Sequence, residues 1–266
     1  MRISPGLLVG IVAVLLLAAT ATLSPIIAPQ DPTAQNLEQD LRPSSASHPL
    51  GTDKLGRDIL SRILYGARIS LLVGITTVSI SLSIGVIVGS LSGYYGGWID
   101  RLVMRIVDVL LSFPGILLAI AFAAMLGPGL RHTVLALSLV GWTAYARLVR
   151  GEILSLRERE FVQAARAIGC GSARIVRLHL LPNIFPVLLI QATFGMAAAI
   201  VGEGSLSFLG LGVAPPTPSW GAMLNEGRQF LLVAPHITAY PGIAISITVL
   251  ALNLIGDGLT EKFQLR

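Results

Sequence analysis

Charge is scarce in this sequence. Only 12% of its 266 residues are Asp, Glu, Lys or Arg, against about 25% in soluble domains, and 53% are hydrophobic. A chain so composed is an integral membrane protein. Lysine is scarcer still: of nineteen basic residues only Lys54 and Lys262 are lysines. A phosphate-binding loop needs Gly-x-x-x-x-Gly-Lys-Ser/Thr, and neither lysine stands in that context, so any nucleotide energy must come from a partner. The single cysteine, Cys170, excludes an intramolecular disulfide and offers no thiolate ligand set. It reads as an inert small residue in a turn. His48, His132, His179 and His236 are scattered and form no i, i+4 pair of the kind a zinc helix needs. They are expected at the surface or at interfaces. Gly89-Ser90-Leu91-Ser92-Gly93 approaches the serine turn of an intramembrane protease, but no histidine lies in a span to serve it. The sequence therefore points to no catalytic residues, no metal and no cofactor in this chain.

The formal charge of +5 could suggest nucleic acid, yet the arginines flank apolar runs, as the positive-inside bias requires, and no nucleic-acid partner is expected. Six spans are predicted. The first covers Gly6 to about Leu23. It is a first transmembrane helix or, with Ala19-Thr20-Ala21 as a cleavage site, a signal peptide; its length favours the helix. From Pro25 to about Arg68 the chain is polar and proline-rich, a mostly extended loop outside the hydrocarbon. Within it Leu55–Tyr65 places Ile59, Leu60, Ile63 and Leu64 at helical spacing, with Arg57, Asp58 and Arg62 on the other side, and predicts an interfacial amphipathic helix. The second span is 69–91, with Gly85-x-x-x-Gly89 permitting close helix approach. An aromatic turn suited to an interface, Gly93–Trp98, follows. The third span, 104–126, should kink at Phe113-Pro114-Gly115 and end at Gly127-Pro128-Gly129. The fourth, 133–149, continues helically beyond the membrane. The fifth starts after Pro182, with Asn183 as its cap, and reaches about Gly202. The sixth is 237–255. The stretch 203–221 is too broken for one helix and too apolar for a free loop, so it should pack on protein or line a wet cavity.

Between the fourth and fifth spans lies an insert, 147–182, holding seven of the seventeen arginines. At roughly 2.5–3.5 kcal/mol per arginine at a bilayer centre it cannot span. Its pattern predicts two short helices. The first presents Phe161, Ala164, Ala165 and Ile168 on one face and breaks at Gly169-Cys170-Gly171. Ser172 should cap the second, and Pro182 should stop it. With six spans, twelve Lys and Arg fall on the side of both termini and this insert and seven on the other, which makes that side the cytoplasm. The elbow reads either as an amphipathic hairpin on an anionic leaflet or as a docking knob for a soluble partner.

Gln163-Ala164-Ala165-x-x-x-Gly169, followed after nine residues by His179-x-Leu181-Pro182, resembles the EAA loop of ABC importer permeases. Glutamate usually stands at the position of Gln163, and isoleucine at that of His179. His48-Pro49-Leu50-Gly51-Thr52-Asp53-x-x-Gly56-Arg57-Asp58, the turn 93–100, Leu156–Glu160, Ser207–Gly212 and Pro216–Gly221 resemble the dipeptide, oligopeptide and nickel permease class, in its second subunit type. The resemblance implies a type I ABC importer permease fold: an N-terminal helix and extracytoplasmic segment (1–68), then a five-span core (69–266) whose cytoplasmic EAA loop is about 150–182. It implies a bacterial inner-membrane, multi-pass protein with both termini cytoplasmic. Its partners would be membrane lipid, a homologous permease subunit, two cytoplasmic ATPase subunits that bind ATP and Mg, and an extracytoplasmic solute-binding protein. Gln163, Ala164, Ala165, Gly169, Ser172 and Pro182 would couple to the ATPases. Glu203, Ser207 and Trp220 would serve a weak, water-filled pore or its outer gate, with Glu203 equally fitted to cap the turn after it. The solute would be a peptide, a nickel chelate or a related small molecule. The competing reading is ion-coupled secondary transport, with Glu203, Asp108 and Asp257 as its acids.

Overall fold

The structure, a computed structural model, describes residues 4–264, and its regular elements are helices apart from one antiparallel bridge between Thr52 and Asp58. The helices are α1 (Pro5–Ile27), α2 (Ile59–Tyr95), α3 (Gly97–Leu111), α4 (Gly115–Leu126), α5 (Leu130–Leu156), α6 (Glu160–Ala167), α7 (Ser172–Ile175), α8 (Leu181–Phe208), α9 (Trp220–Gly227) and α10 (His236–Gln264). The all-α expectation holds. Length and hydropathy match four or five of the six expected spans. Among the described residues four helical runs are long and apolar enough to cross a membrane: α1, α2, the run from Ser172 to Phe208, and α10. The pair α3 and α4 makes a fifth only if taken together across an 89° bend. At 27 residues α5 is long enough, but Arg131, Arg147, Arg150 and Glu152 lower its hydropathy. The kink expected at Pro114 is a full break.

Several sequence expectations fail at helix ends, because two helices run on through the limits expected for them. Leu55–Tyr65 is no separate interfacial helix. Asp58 caps α2, its Oδ2 accepting the Ser61 N–H at 2.7 Å, and from Ile59 the helix runs 37 residues without a break. At 1.5 Å per residue that is about 55 Å, well beyond a hydrocarbon core of about 30 Å. Nor does Pro182 stop the second elbow helix. Gly171, not Ser172, occupies the N-cap position, with no side-chain cap bond. The chain then winds one wider turn over Val176–Leu180, the Leu181 N–H reaching back to the Val176 carbonyl, and continues into α8. A proline removes one i→i−4 bond, and a π-turn absorbs the mismatch. Asn183 lies within the helix, its amide donating to the His179 carbonyl at 2.6 Å instead of capping.

Pro25 is tolerated inside α1 in a similar way. Its missing N–H would have served Ala21, and the buried Ser24 hydroxyl donates to the Ala21 carbonyl at 3.0 Å. Helix α1 packs on α10, where a Cβ on Gly10 would stand 2.7 Å from the Ala251 carbonyl oxygen.

The central seam joins α2 to α5. A Cβ on Gly85 would lie 2.3 Å from that of Tyr145, and one on Gly89 would lie 2.6 Å from the Ala146 carbonyl oxygen. The Gly85–Gly89 spacing thus marks a helix contact that no side chain can enter. Gly151, on the same α5, has nothing within 4 Å. Gly89→Ala is expected to cost about 1–3 kcal/mol through overpacking, whereas Gly151→Ala should be neutral or slightly stabilising on helix propensity. Thermal unfolding of the two purified variants in one detergent measures the difference. Equal midpoints would contradict the seam.

Candidate functional site: an elbow at one end, an ion-paired cap at the other

The elbow is built on α5 and α8. Helix α5 ends at Leu156, three residues turn the chain, and α6 begins at Glu160. Val162 and Ala165 of α6 and Ile175 of α7 are buried against Val149, Ile153, Leu180, Ile184 and Leu188. The elbow is therefore part of the same apolar core as the α5 and α8 ends, and it cannot shift without them. Gly169 has φ +85°, the left-handed conformation that ends α6. Arg157 donates to the Gly93 carbonyl at 3.0 Å, and the Arg166 guanidinium sits 5.4 Å over the Tyr94 ring. The elbow is thereby tied to the α2–α3 turn as well.

The face of α6 turned into the core is Val162 and Ala165; of the apolar face expected from the sequence, Phe161, Ala164 and Ile168 lie outside and only Ala165 is turned in. Phe161 is 41% exposed and Ile168 is 81% exposed. With Ala164 they form an uncovered apolar and small-residue surface. Helical periodicity finds the apolar positions but does not say which of two apolar faces meets the chain's own core. Of the predicted coupling residues, Gln163, Ala164, Gly169 and Pro182 are exposed, Ser172 is half-buried and Ala165 is buried. The Gln163 amide donates to the Glu158 carbonyl at 3.0 Å, which leaves it a role in the link without any charge.

At the opposite end the polar segment before α2 folds over the ends of α1, α2, α9 and α10. Asp53 accepts from Arg57 Nε at 2.7 Å and from Arg62 Nη1. Glu226 of α9 accepts from Arg57 Nη2 at 2.6 Å and from Arg62 Nη1 at 3.0 Å. Asp53, Arg57 and Arg62 are buried. Two acids and two arginines cancel formally, which is how charges persist in a low-dielectric site. The sequence reading set Arg57 and Arg62 on the solvent side of an amphipathic helix. Glu226 lies 164 residues beyond Arg62 and carries no local signal that it completes the set. His48 is likewise buried, not at the surface: Nδ1 stands 3.0 Å from Asp58 Oδ1 and Nε2 stands 2.8 Å from Gln39 Oε1.

The three residues expected at the pore or outer gate, Glu203, Ser207 and Trp220, come together in this cap. The Ser207 hydroxyl donates to Glu203 Oε1 at 2.6 Å and accepts the Val213 N–H at 3.3 Å, so the pair organises the turn after α8. Trp220 Nε1 donates to the Ile63 carbonyl at 3.0 Å, and a Cβ on Gly66 would stand 2.7 Å from its ring. A Cβ on Gly221 would lie 2.4 Å from the Gly204 carbonyl oxygen, so α9 presses on α2 and α8 together. All three residues are buried. They are absent from a cavity of about 730 Å³ between α2, α4, α5, α8 and α10, whose polar lining is Thr77, Ser81, Tyr145, Gln191, Ser205 and Asn253. No charged side chain lines it. Among the described residues no cluster of metal-ligating side chains occurs.

Comparison with known proteins adds three findings. The family described as binding-protein-dependent transport system inner membrane component matches residues 85–266. The dipeptide transport system permease protein DppC of Alkalihalophilus pseudofirmus is 44% identical, covering 97% of this chain and 84% of the relative. The glutathione transport system permease protein GsiD of Pectobacterium atrosepticum is 47% identical over 94% and 84%. A chain of the MetNI methionine ABC transporter, in an inward-facing conformation, has a TM-score of 0.61 at 21% identity, covering 77% of this chain and 97% of that one, and agrees in fold.

The ion-paired cap gives a direct test. Asp53→Asn leaves two buried arginines facing one carboxylate and should cost about 3–5 kcal/mol. Asp31→Asn removes only an exposed charge and keeps an oxygen to accept from Thr33, and it should stay within about 0.5 kcal/mol of the parent. Unfolding midpoints compare the two. A cap that tolerates Asp53→Asn as well as Asp31→Asn is not held by these charges.

Proposed function

Because this chain belongs to the binding-protein-dependent transport system inner membrane component family, and is a multi-pass permease subunit of an ATP-driven importer, we propose that it carries small peptides or peptide-like solutes across the bacterial inner membrane. It would form the pore with a homologous permease subunit. ATP and Mg would be bound by two cytoplasmic ATPase subunits, and an extracytoplasmic solute-binding protein would deliver the solute at the cap. Both termini would then be cytoplasmic, on the elbow side. The peptide class rests on the similarity to permeases named for dipeptide and glutathione transport.

One observation carries the mechanism: the exposed surface of Phe161, Ala164 and Ile168 lies on an elbow whose other face is fused to the cores of α5 and α8. A body seated on that surface and moved by nucleotide would move both helices as one. Packed interfaces convert small displacements into discrete shifts. The moving helices also wall the cavity, α5 with Tyr145 and α8 with Gln191. A volume of about 730 Å³ is within the range of small-molecule sites, roughly 300–1,000 Å³. An uncharged lining favours passage over tight retention, so discrimination would reside in the binding protein.

Ion-coupled transport is not favoured. Its best acid, Glu203, is engaged by Ser207, and Asp108 is paired with Arg147 at 2.5 Å.

Ala164→Glu adds charge and bulk to an exposed position of α6 and should leave the chain's own packing intact. Expected is uptake at least tenfold lower in reconstituted vesicles, with ordinary expression and assembly of the membrane subunit. Parent vesicles should take up a labelled dipeptide only with ATP and continue when ionophores collapse ion gradients. Undiminished uptake by the variant would remove the docking role of the elbow, and uptake driven by a proton gradient alone would remove the ATP-driven reading.

A further inference from the structure

Helix α3 is the long element whose exposed side transport leaves without a task. Its inner side is fixed. Val107 is fully buried, Asp100 accepts from Arg150 Nε at 2.5 Å and Nη2 at 2.6 Å, and the Ser92 hydroxyl also bonds Asp100. Farther along, Asp108 pairs with Arg147. Helix α3 stands at 89° to α4 across the break between them, and it is α4 that packs along α5 through Ala123 and Ala136, so α3 turns away from the direction the chain takes through the bundle. The Arg157 and Arg166 contacts to Gly93 and Tyr94 place its start at the level of the elbow, beyond the apolar middle of the bundle.

The outward half of α3 divides into two sectors. At 100° per residue Trp98, Leu102, Ile106 and Val109 fall within about 80° of one another. All four are between 48% and 67% exposed. Arg101 and Arg105 occupy the adjacent sector and are exposed. Among the described residues neither meets a carboxylate at ion-pair distance, although Asp100 and Asp108 share the helix, because those acids are engaged by α5. An apolar sector that includes tryptophan, flanked by free arginines on a helix that turns away from the bundle, is suited to a membrane interface.

We propose that α3 is an interfacial helix, not the first half of a membrane span. It buries Trp98, Leu102, Ile106 and Val109 among the acyl chains on the elbow side and holds anionic phospholipid headgroups with Arg101 and Arg105. Charge selects the occupant: phosphates neutralise two unpaired guanidiniums next to an apolar stripe, and a lipid leaflet offers both chemistries at the depth where α3 lies.

The test uses the transporter complex purified through this chain and placed in nanodiscs of phosphatidylcholine, with or without phosphatidylglycerol. Acyl-chain-brominated lipid should quench a tryptophan component that Trp98→Phe removes. Arg101→Gln with Arg105→Gln should lower the phosphatidylglycerol retained per complex by roughly an order of magnitude, and the corresponding double lysine variant should keep it, since each cation near an anionic surface contributes on that scale. If the double glutamine variant fails to assemble, Arg105→Gln alone reads the same retention with a smaller fall. A quenched fraction that Trp98→Phe leaves unchanged would mean that water or a protein subunit covers this face and would overturn the proposal. So would equal phosphatidylglycerol retention by the parent and the glutamine variants.

Discussion

The contact on which the rest of the molecule depends is the approach of α2 to α5 at Gly85 and Gly89. Backbone meets side-chain base there with no room for a Cβ. Between membrane helices there is little hydrophobic gain to exploit, so close van der Waals packing of small residues has to supply the adhesion. Helix α2 then carries this contact to both ends of the protein. Its first turns hold Arg62 in the ion quartet and receive the Trp220 indole at Ile63. Its last turns meet the elbow through Gly93 and Tyr94. Helix α5 runs on into the elbow core through Val149 and Ile153.

The two ends are built by different physics, which suits different tasks. At the elbow an apolar core fuses α6 and α7 to α5 and α8 and leaves an apolar surface outside, as a transmitted motion requires. At the cap, buried charges and hydrogen bonds bring together segments far apart in the chain: Asp53 with Arg62 and Glu226, Glu203 with Ser207, Trp220 with Ile63. Removing one partner from such a set strands the others in low dielectric, so the cap is geometrically specific and intolerant of change. The cavity between the ends has polar groups but no charge, and its walls belong to helices anchored at both ends.

Much of this was legible in the sequence, because some signals are local. Low charge and long apolar runs gave an all-helical membrane protein, and the glycine at 169 gave the elbow break, since left-handed backbone there needs glycine. The spacing Gln163-Ala164-Ala165-x-x-x-Gly169 with Leu181-Pro182 led to the permease family, and the family match bears it out. The helix limits that differ from the sequence expectation are the stop at Pro182 and the interruption between Tyr65 and Ile69. Pro182 and Arg62 both lie inside continuous helices, because a π-turn accommodates one and Asp53 with Glu226 neutralises the other.

The sequence by itself determined what each segment can tolerate: which stretches enter lipid, where the backbone must turn, and that the insert carrying seven arginines cannot span. Only the tertiary structure decided which face of each segment is used. Whether Val162 or Phe161 turns inward, whether α3 continues straight into α4 or breaks from it by 89°, and whether Glu226 reaches Arg57 depend on neighbours far away in the chain. Periodicity records only that a face is apolar or charged. What covers that face is set by contacts among residues that no local pattern relates.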